Sequence, residues 1–294
     1  MKYGINLLNY GTSATPKHFE RWARFAEDNL FDALMISDHV AVTPEVQARY
    51  PAPFYDPFTV LSWLAATTSR VEIGTTVIVL PYRHPLQIAR VTANIDQISN
   101  GRLIFGVGVG WARQEFNALG VPFEQRGAIA NECLRAIQLS WTESIATFEG
   151  KFFSFKNVHT EPGPVRKPHP PIWVGGASDA AIRRAVRLGD AWHPIRIRID
   201  WLRQEGLPRL HKVAAVEGCK VPALCPRILL HITKDPMPDD ARVAGQGSIA
   251  QIREDLDALI ELGAEYVVLD TYSGDPRETA SLDRHFAMLS ELPR

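Results

Sequence analysis

The amino-acid sequence predicts an α/β fold of the (β/α)8 class, the TIM barrel. Short strand-like runs alternate with amphipathic helical patterns from one end of the chain to the other, and eight such pairs follow one another. Runs such as residues 71–80 are apolar and β-branched without alternation, which is typical of parallel strands buried on both faces. A length of 294 residues suits one barrel with insertions, so we predict a single domain over residues 1–294.

The first half of the chain contains four predicted pairs of strand and helix. The strands are predicted at residues 3–8, 33–37, 71–80 and 103–109. The helices are predicted from Pro16, from Pro57 behind an Asp56 cap, at 86–98 and at 127–142. Two insertions interrupt this pattern. Residues 38–55 form an irregular stretch after strand two, and residues 147–171 are interpreted as an inserted hairpin and loop after strand four.

The second half continues the alternation with shorter strands. The strands are predicted at residues 172–174, 191–195, 227–232 and 266–270. The helices are predicted at 178–189, at 200–217 with an interruption at Pro208, from Ser248 and from Pro276. Ser248 and Gln251 have the spacing of a capping box, in which each side chain bonds to the backbone N–H of the other residue.

Composition argues against several classes of function. The chain has 32 basic and 33 acidic residues, a net charge of −1 and no long block of one sign, which disfavours nucleic acid and anionic membranes as partners. The three cysteines lack metal-ligand spacing, and the sequence has neither a signal-peptide pattern nor an apolar run of 18 residues. We therefore expect a cytoplasmic protein whose partner is a small molecule or another protein.

The strongest local motif is the segment Gly175, Gly176, Ala177 and Ser178, between strand five and a helix. In (β/α)8 barrels the loops after the strands build the active site. Glycines let the backbone approach a ligand, and the free N–H groups of a helix N-terminus favour an anion, so this segment is a candidate phosphate site. The alternative is a tight turn that needs a left-handed glycine. Residues 245–248 look similar but follow a proline-rich stretch instead of a strand end.

Two histidines after strand ends are candidates for proton transfer. Asp38 and His39 end strand two, and a histidine beside a carboxylate can exchange a proton near neutral pH. The alternative is an aspartate that caps the loop and a histidine that packs on Tyr50 or Tyr55. His193, after strand six, is a second candidate for which packing is the favoured interpretation.

The glycine-rich segment at residues 106–111 reads GVGVGW and is not a dinucleotide-binding fingerprint, because Trp111 stands where the third glycine is required. A strand end where a flat ligand approaches the backbone, with Trp111 as a wall, is the better interpretation. Strand one ends in Leu7-Leu8-Asn9 without a His-x-His pair, and the other histidines are scattered. We therefore predict no metal site, and a metal-dependent hydrolase is disfavoured.

Several longer motifs resemble those of the luciferase-like monooxygenases. They are Ser37-Asp38-His39 before a long loop, PYRHP at residues 81–85, GRLIFGVGVGW at residues 101–111 and PHPPIWVGG at residues 168–176. With the insertion after strand four, these motifs stand in this order over nearly the whole chain. Within that superfamily the chain most resembles the coenzyme F-420 (deazaflavin)-dependent oxidoreductases.

The resemblance implies a site for an isoalloxazine-type ring and a cofactor phosphate. Asp38 would hold the cofactor, and His39 would contact its ring or act on substrate as acid or base, with His193 less favoured. Thr75, Thr76 and Val77 would back the ring, often through a non-proline cis peptide. The other implied cofactor-binding residues are Val107, Gly108, Val109 and Gly110 at the ring edge and Gly175, Gly176, Ala177 and Ser178 at the phosphate.

One difference from the family pattern concerns a glutamate. Several deazaflavin dehydrogenases of the superfamily have a glutamate acid just after strand four, whereas residues 108–111 of this chain read GVGW. The nearest carboxylate, Glu115, is expected at a turn into the following segment. This difference places sugar-phosphate and alcohol dehydrogenase roles in question.

The implied activity is hydride transfer between coenzyme F-420, an 8-hydroxy-5-deazaflavin, and a small, largely apolar organic substrate. FMN is the alternative cofactor: reduced FMN from a separate flavin reductase would make the protein an O2-using monooxygenase. A flavin-binding barrel without catalysis is the third alternative. The acidic oligoglutamate tail of the deazaflavin would favour rim residues such as Arg183, Arg184, Arg196 and Arg198, which solvated helix faces could equally supply. The resemblance also implies a homodimer.

Overall fold

The computed structural model describes residues 1–292 and contains parallel strands interleaved with helices. The strands are β1 (Lys2–Leu7), β2 (Ala33–Ile36), β3 (Glu72–Thr75), β4 (Ile78–Val79), β5 (Leu103–Gly108), β6 (Ile145–Glu149), β7 (Ser154–His159), β8 (Ile172–Gly175), β9 (Ala191–His193), β10 (Ala223–Leu224), β11 (Arg227–Leu229), β12 (His231–Ile232), β13 (Gln246–Gly247) and β14 (Tyr266–Asp270).

The helices carry apolar residues on the faces that cover the sheet. They are α1 (Pro16–Asp28), α2 (Pro44–Gln47), α3 (Pro57–Thr67), α4 (Pro85–Ile98), α5 (Arg113–Ala118), α6 (Arg126–Thr142), α7 (Asp179–Leu188), α8 (Ile199–Trp201), α9 (Leu207–Glu217), α10 (Ile249–Glu261) and α11 (Leu282–Ser290). A π-helical segment, Leu202–Gly206, joins α8 to α9 just before the predicted interruption at Pro208. No helix within residues 1–292 is long and apolar enough to cross a membrane.

Nine strands form one curled parallel sheet in the order β10-β9-β8-β5-β3-β2-β1-β14-β11, and β4 pairs with β5 beside it. The end of the β9 segment also meets β11, because the N–H of Arg227 donates to the carbonyl of Pro194 (2.9 Å) and the N–H of Arg196 donates to the carbonyl of Arg227 (3.2 Å). The predicted α/β class is confirmed, and the predicted eight-stranded barrel is observed as a curled parallel sheet of nine strands. All C-terminal strand ends therefore lie on one edge, which we call the mouth.

The core follows the predicted burial pattern. In α1 the buried residues are Phe19, Trp22, Ala23 and Ala26, as the spacing predicts. The first turns are fixed by side-chain caps: Asp56 accepts from the N–H of Thr59, and Ser248 forms the predicted capping box with Gln251. These caps satisfy N–H groups that the helix itself leaves without a partner.

The predicted third strand is interrupted, which corrects the prediction of one strand over residues 71–80. Strand β3 ends at Thr75, the Thr76–Val77 peptide bond is cis, and β4 is followed by a 3-10 turn at Leu80–Tyr82. The β3 and β5 backbones approach closely here: the Thr75 hydroxyl donates to the carbonyl of Gly106 at 2.6 Å. A Cβ at Gly106 would lie 1.8 Å from the Thr75 carbonyl oxygen, so this position requires glycine.

Other predicted bounds are also wrong. Residues 227–232 form two strands in different sheets, because β11 pairs with β14 whereas β12 pairs with β13. The last helix begins at Leu282, since Pro276–Ala280 is a 3-10 turn. Short helices α2 and α5 lie within stretches that were predicted to be irregular.

An antiparallel hairpin of β6 and β7 lies between α6 and β8. The carboxylate of Glu132 accepts the N–H groups of Lys151, Phe152 and Phe153 at 2.9, 2.6 and 2.7 Å. These three bonds join the tip of the hairpin to α6, and they lower the pKa of Glu132 although its burial alone would raise it.

Candidate functional site

Asp38 lies at the mouth with its carboxylate fully engaged by protein groups. Arg83 binds it in a bidentate manner, with Nη1 at 2.7 Å from Oδ2 and Nη2 at 2.9 Å from Oδ1. The N–H of Val79 donates to Oδ2 at 2.9 Å. The ion pair and the backbone bond join the segment after β2 to the segment that follows β4. Asp38 is therefore placed to organise the mouth, and its contact with a cofactor remains a prediction.

His39 is held by a buried carboxylate that the sequence did not reveal. Its Nδ1 lies 2.6 Å from Oε2 of Glu115, and Tyr82 donates its hydroxyl to the same oxygen at 2.9 Å. The N–H groups of Val40 and Ala41 donate to Oε1 at 2.6 and 2.9 Å. Glu115 is fully buried in α5, so the expectation that it lies at a turn is wrong. Its location in the first turn of a helix after a mouth loop is the signal that could have identified it.

The surroundings of Glu115 favour its ionised form. Burial raises the pKa of this carboxyl, but the hydrogen bond and charge of His39, the N–H of Ala41 and the Tyr82 hydroxyl outweigh burial and lower it. An ionised carboxylate accepts hydrogen bonds only, so the Nδ1–H of His39 is the donor. Within residues 1–292 the hydrogen bond of His39 is made by Nδ1, and its Nε2 atom has no hydrogen-bond partner.

Aromatic side chains surround the His39 ring at the mouth. The ring centroids of Tyr50, Phe54 and Trp111 lie 5.3, 5.4 and 5.8 Å from that of His39. The guanidinium of Arg49 lies over Trp111 at 4.8 Å, which stabilises the outer side of this wall. The imidazole therefore packs on Tyr50 and also binds a carboxylate, and its role in proton transfer remains a prediction.

The segment of Thr75, Thr76 and Val77 meets two of the predicted glycines. A Cβ at Gly108 would lie 2.6 Å from Cγ2 of Val77, and a Cβ at Gly175 would lie 3.1 Å from its Cγ1. Both glycines are therefore needed for Val77 to lie between β5 and β8. The neighbouring site residues on β5 and just after it are the buried Val107, the half-buried Val109 and Gly110, whose φ is +78°.

His193 lies beneath this segment and is completely buried. Its Nδ1 donates to the carbonyl of Cys225, and its Nε2 accepts the hydroxyl of Thr76 at 2.8 Å. Burial lowers the pKa of His193 to about 4, and the nearby Arg227 also acts in that direction. A neutral imidazole that bonds on both sides orients Thr76, so the packing interpretation fits this residue best.

A buried ion pair that the sequence did not suggest lies beside Thr76. Arg227 donates to Oδ2 of Asp270 from Nε at 3.1 Å and from Nη2 at 2.6 Å. Its Nη1 donates to the Thr76 carbonyl at 2.7 Å. Arg227 begins a strand whose other two residues are apolar, and a lone charge of that kind is the signal that could have revealed it.

The Gly175–Ser178 segment, residues 175–178, is arranged as an open helix N-terminus. Gly176 has a φ of +104°, and its carbonyl accepts Nε1 of Trp192 at 2.8 Å, which fixes the turn. Ser178 caps α7 by accepting the N–H of Ala181 at 3.2 Å. Ala177 and Ser178 are exposed, so the unpaired N–H groups at the start of α7 face solvent. The left-handed glycine turn is therefore present, and the exposed helix N-terminus beside it leaves the phosphate site as a prediction.

The similar segment at residues 245–248 is already filled by protein. Oε1 of Gln251 accepts the N–H groups of Ser248 and Met237 at 3.1 and 2.9 Å. A Cβ at Gly247 would lie 2.4 Å from that same oxygen. An internal acceptor thus occupies the place that a phosphate would take, which favours residues 175–178 as the anion site.

Comparison with known proteins identifies relatives over most of the chain. A family model described as luciferase-like monooxygenase matches residues 1–244. An uncharacterized protein of Mycobacterium tuberculosis is 29% identical over 246 residues, which cover 76% of this chain and 86% of that protein. An FMNH2-dependent dimethylsulfone monooxygenase of Pseudomonas putida is 30% identical over 183 residues, 57% of this chain and 50% of that enzyme.

A solved structure shares the fold over nearly the full length. It is an F420-dependent secondary alcohol dehydrogenase in complex with an F420-acetone adduct, and its TM-score is 0.78. The match covers 99% of this chain and 98% of that chain at 16% identity. Identity at this level shows a common fold, and the catalytic residues must be argued from the chain itself.

The buried His193 predicts a specific dependence of stability on pH. Its folded pKa is about 4, whereas an unfolded histidine titrates near about 6.5. Between these values the unfolded chain binds more protons, so the stability contributed by neutral His193 is complete above about pH 6.5 and is lost as the pH falls toward about 4. We expect the free energy of unfolding to fall more steeply than in His193→Gln, by up to about 1.4 kcal/mol per pH unit.

Urea unfolding of both proteins between about pH 7 and about pH 4.5 measures this difference. The comparison of the two proteins at pH 7 is the control, because both carry a neutral side chain at position 193 there. Parallel loss of stability in the two proteins across that window would show that His193 is not buried in its neutral form.

Proposed function

The chain belongs to the luciferase-like monooxygenase family, and we propose that it is an oxidoreductase that transfers a hydride between coenzyme F-420 and a small, largely apolar organic substrate. The observation that carries this proposal is the His39–Glu115 pair at the mouth, 2.6 Å apart, which provides an acid–base residue beside an aromatic wall. The proposal treats residues 1–294 as one (β/α)8 barrel domain with residues 147–171 inserted, and two copies as a homodimer.

Residues 175–178 are proposed to bind the cofactor phosphate. The support is the exposed, capped N-terminus of α7, where the helix dipole and unpaired N–H groups favour an anion. Asp179, the one acidic side chain of that first turn, lies 3.9 Å from Arg209 on α9 and so has a cationic partner of its own.

The tricyclic ring is proposed to lie against Val77, with Thr75 and Thr76 behind it and residues 107–110 along its edge. The support is the close packing of Val77 against Gly108 and Gly175, where the glycines bring backbone close to this segment. His193 and Arg227 would act as positioning residues, because both bind Thr76 and neither is exposed enough to reach a substrate.

Coenzyme F-420, when bound, supplies or accepts the hydride. His39 is proposed to handle the accompanying proton through Nε2, at the oxygen or nitrogen atom of the substrate. Glu115 acts as a positioning residue by holding Nδ1, which fixes the tautomer and stabilises the imidazolium when it forms. Tyr50, Phe54 and Trp111 exclude water from this proton and bind the apolar part of the substrate.

Because Glu115 is buried at the mouth, we again include the dehydrogenase roles that the sequence placed in question. Several such enzymes have a glutamate just after strand four, and Glu115 would act in its place through His39. A secondary alcohol or the corresponding ketone is therefore included among the proposed substrates, together with enones and imines.

A second candidate is an FMNH2-dependent monooxygenase that uses O2 and receives its reduced flavin from a separate reductase. The relative from Pseudomonas putida, whose name states this cofactor, favours it. A ring site and a phosphate site would serve both cofactors, so the cofactor must be tested directly. A barrel that binds flavin without catalysis is disfavoured by the free Nε2 of His39.

Titration of the apoprotein with coenzyme F-420 and, in parallel, with FMN tests the proposal. We expect micromolar binding of the deazaflavin and at least about tenfold weaker binding of FMN, a difference of about 1.4 kcal/mol. Fluorescence or calorimetry measures both affinities. The reverse preference would support the monooxygenase, and binding of neither cofactor would remove the basis for residues 175–178 as a phosphate site.

Ala177→Asp is expected to weaken binding of either cofactor by about tenfold or more, since it places a like charge beside the phosphate. An acidic residue near a helix N-terminus stabilises the helix by about 0.3–1 kcal/mol, so the loss would not come from unfolding. Ala250→Asp is the matched control, because Ala250 is exposed in the first turn of α10 behind its own serine cap. Equal effects of both variants would contradict the assignment.

Glu115→Gln keeps the shape of the side chain and removes its charge. We expect turnover to fall by about 10²-fold, within the range for acid–base catalysis, with a shifted pH profile and unchanged cofactor affinity. Absorbance of the deazaflavin would follow hydride transfer to a substrate found by screening alcohols, enones and imines. Tyr82→Phe is the control, since it removes one hydrogen bond to Glu115 but keeps the carboxylate. Turnover of Glu115→Gln at the wild-type rate would exclude the pair from proton transfer.

A further inference from the structure

A small cavity of about 30 Å³ lies at the mouth beside the buried ion pair of Arg227 and Asp270. Both members of the pair line it together with Tyr272, and all three side chains are buried. Tyr50 and Ile195 also line it, but Tyr50 is half-buried and Ile195 is 48% exposed, so the cavity opens on their side. One water molecule needs about 10–15 Å³, so this cavity has room for about two oxygen atoms of a ligand.

Arg196 supplies an unpaired positive charge at the rim of this cavity. It lines the cavity and is exposed, and its φ of +51° is a left-handed conformation that is uncommon for residues other than glycine. Its guanidinium reaches from the segment after β9 to the segment after β14, where Nη2 donates to the carbonyl of Ser273 at 3.2 Å. That carbonyl is a neutral partner, and Arg196 forms no ion pair within residues 1–292. Its charge therefore remains available to a ligand.

The net charge at the cavity is a single positive charge. Asp270 is the one acidic side chain of the described residues that lines it, and Arg227 compensates that charge at 2.6 Å. The acidic side chains that follow β14 have cationic partners of their own, in the pairs Asp275–Arg277 and Glu278–Arg284. The charge of Arg196 is thus left over, and a cavity with this excess favours a ligand with one negative charge.

The cavity adjoins both parts of the proposed active site. Tyr50, which lines it, has its ring centroid 5.3 Å from that of His39. Arg227, which also lines it, donates to the carbonyl of Thr76 at 2.7 Å, behind the proposed position of the tricyclic ring. Aromatic rings in contact have centroids about 4.5–7 Å apart, so an anion beside Tyr50 would lie within about 10 Å of the His39 imidazole. One small molecule is therefore long enough to reach both places.

We propose that this cavity binds the carboxylate of an organic-acid substrate and that Arg196 recognises its charge. The inference rests on the proposed function for the reaction, and it narrows the substrates to alcohols, ketones, enones or imines that carry a carboxylate several bonds from the reacting group. The two oxygens of a carboxylate fit the volume, whereas a sulfonate or a phosphate brings at least three. The apolar part of the substrate would lie between the carboxylate and His39, against Tyr50.

Binding of phenylacetate and phenylacetamide tests this inference without any reaction. The two probes have nearly the same shape, and only phenylacetate carries a negative charge. Calorimetry measures both affinities, for the apoprotein and for the protein loaded with cofactor. A charge-assisted hydrogen bond is about twice as strong as a neutral one, so we expect phenylacetate to bind about tenfold more tightly. Equal affinities, or no binding of phenylacetate in either form of the protein, would overturn the inference. Tighter binding of phenylmethanesulfonate would overturn the assignment to carboxylates.

Arg196→Gln removes the charge from an exposed side chain, and we expect this variant to bind the two probes with equal affinity. Arg196→Lys keeps the charge without the planar guanidinium and is expected to retain part of the preference for phenylacetate. Arg253→Gln is the matched control, because Arg253 is an exposed cation on α10 that does not line the cavity. A preference that survives in Arg196→Gln, or that is lost equally in Arg253→Gln, would contradict the role of Arg196.

Turnover separates this inference from the proposed function. Benzoylpropionate, a keto acid, and its methyl ester are compared as ketone substrates, and the absorbance of the deazaflavin follows the reaction. We expect the wild type to favour the acid by about tenfold in kcat/KM, mainly through KM, and Arg196→Gln to lose that advantage. Equal use of acid and ester by the wild type would overturn the inference and leave the proposed function intact. Binding of phenylacetate through Arg196 without hydride transfer to any ketone would leave the carboxylate site and overturn the proposed function.

Discussion

A guanidinium buried inside the curled sheet determines how the mouth of this fold is built. Arg227 of β11 is paired with Asp270 of β14, and Asn6 of β1 donates to the other carboxylate oxygen at 3.0 Å. Because removing one partner of a buried ion pair costs about 3–5 kcal/mol, these side chains fix three neighbouring strands relative to one another. The same guanidinium binds the carbonyl of Thr76, so the segment between β3 and β4 depends on a charge supplied from the opposite part of the sheet.

Of the two buried carboxylates at the mouth, one has a structural role and the other has a role in the proposed chemistry. Asp38 is bound by Arg83 and by a backbone N–H, so it joins two loops. Glu115 is also bound by protein groups, but one of its partners is the imidazole of His39, which keeps its other nitrogen available. The adjacent Asp38 and His39 thus have different roles because of the groups that α5 and Arg83 bring to them.

The sequence predicted the class of fold and the location of the mouth, because both follow from local patterns of apolar residues and from the parallel direction of the strands. It did not predict the interruption after Thr75, which depends on the approach of the Gly106 backbone from a neighbouring strand. The roles of Glu115 and Arg227 were missed for a similar reason. A local signal marks each residue, but their partners lie 76 and 43 residues away and no local pattern identifies those partners.

The preference for one cofactor depends on which parts of the proposed site both cofactors would use and which parts only one of them would use. The glycines around Val77 and the helix N-terminus at Ser178 are proposed to recognise a flat ring and a phosphate, features that FMN and coenzyme F-420 have in common. These two features alone therefore do not distinguish the cofactors, and discrimination must come from contacts with the parts in which the two molecules differ.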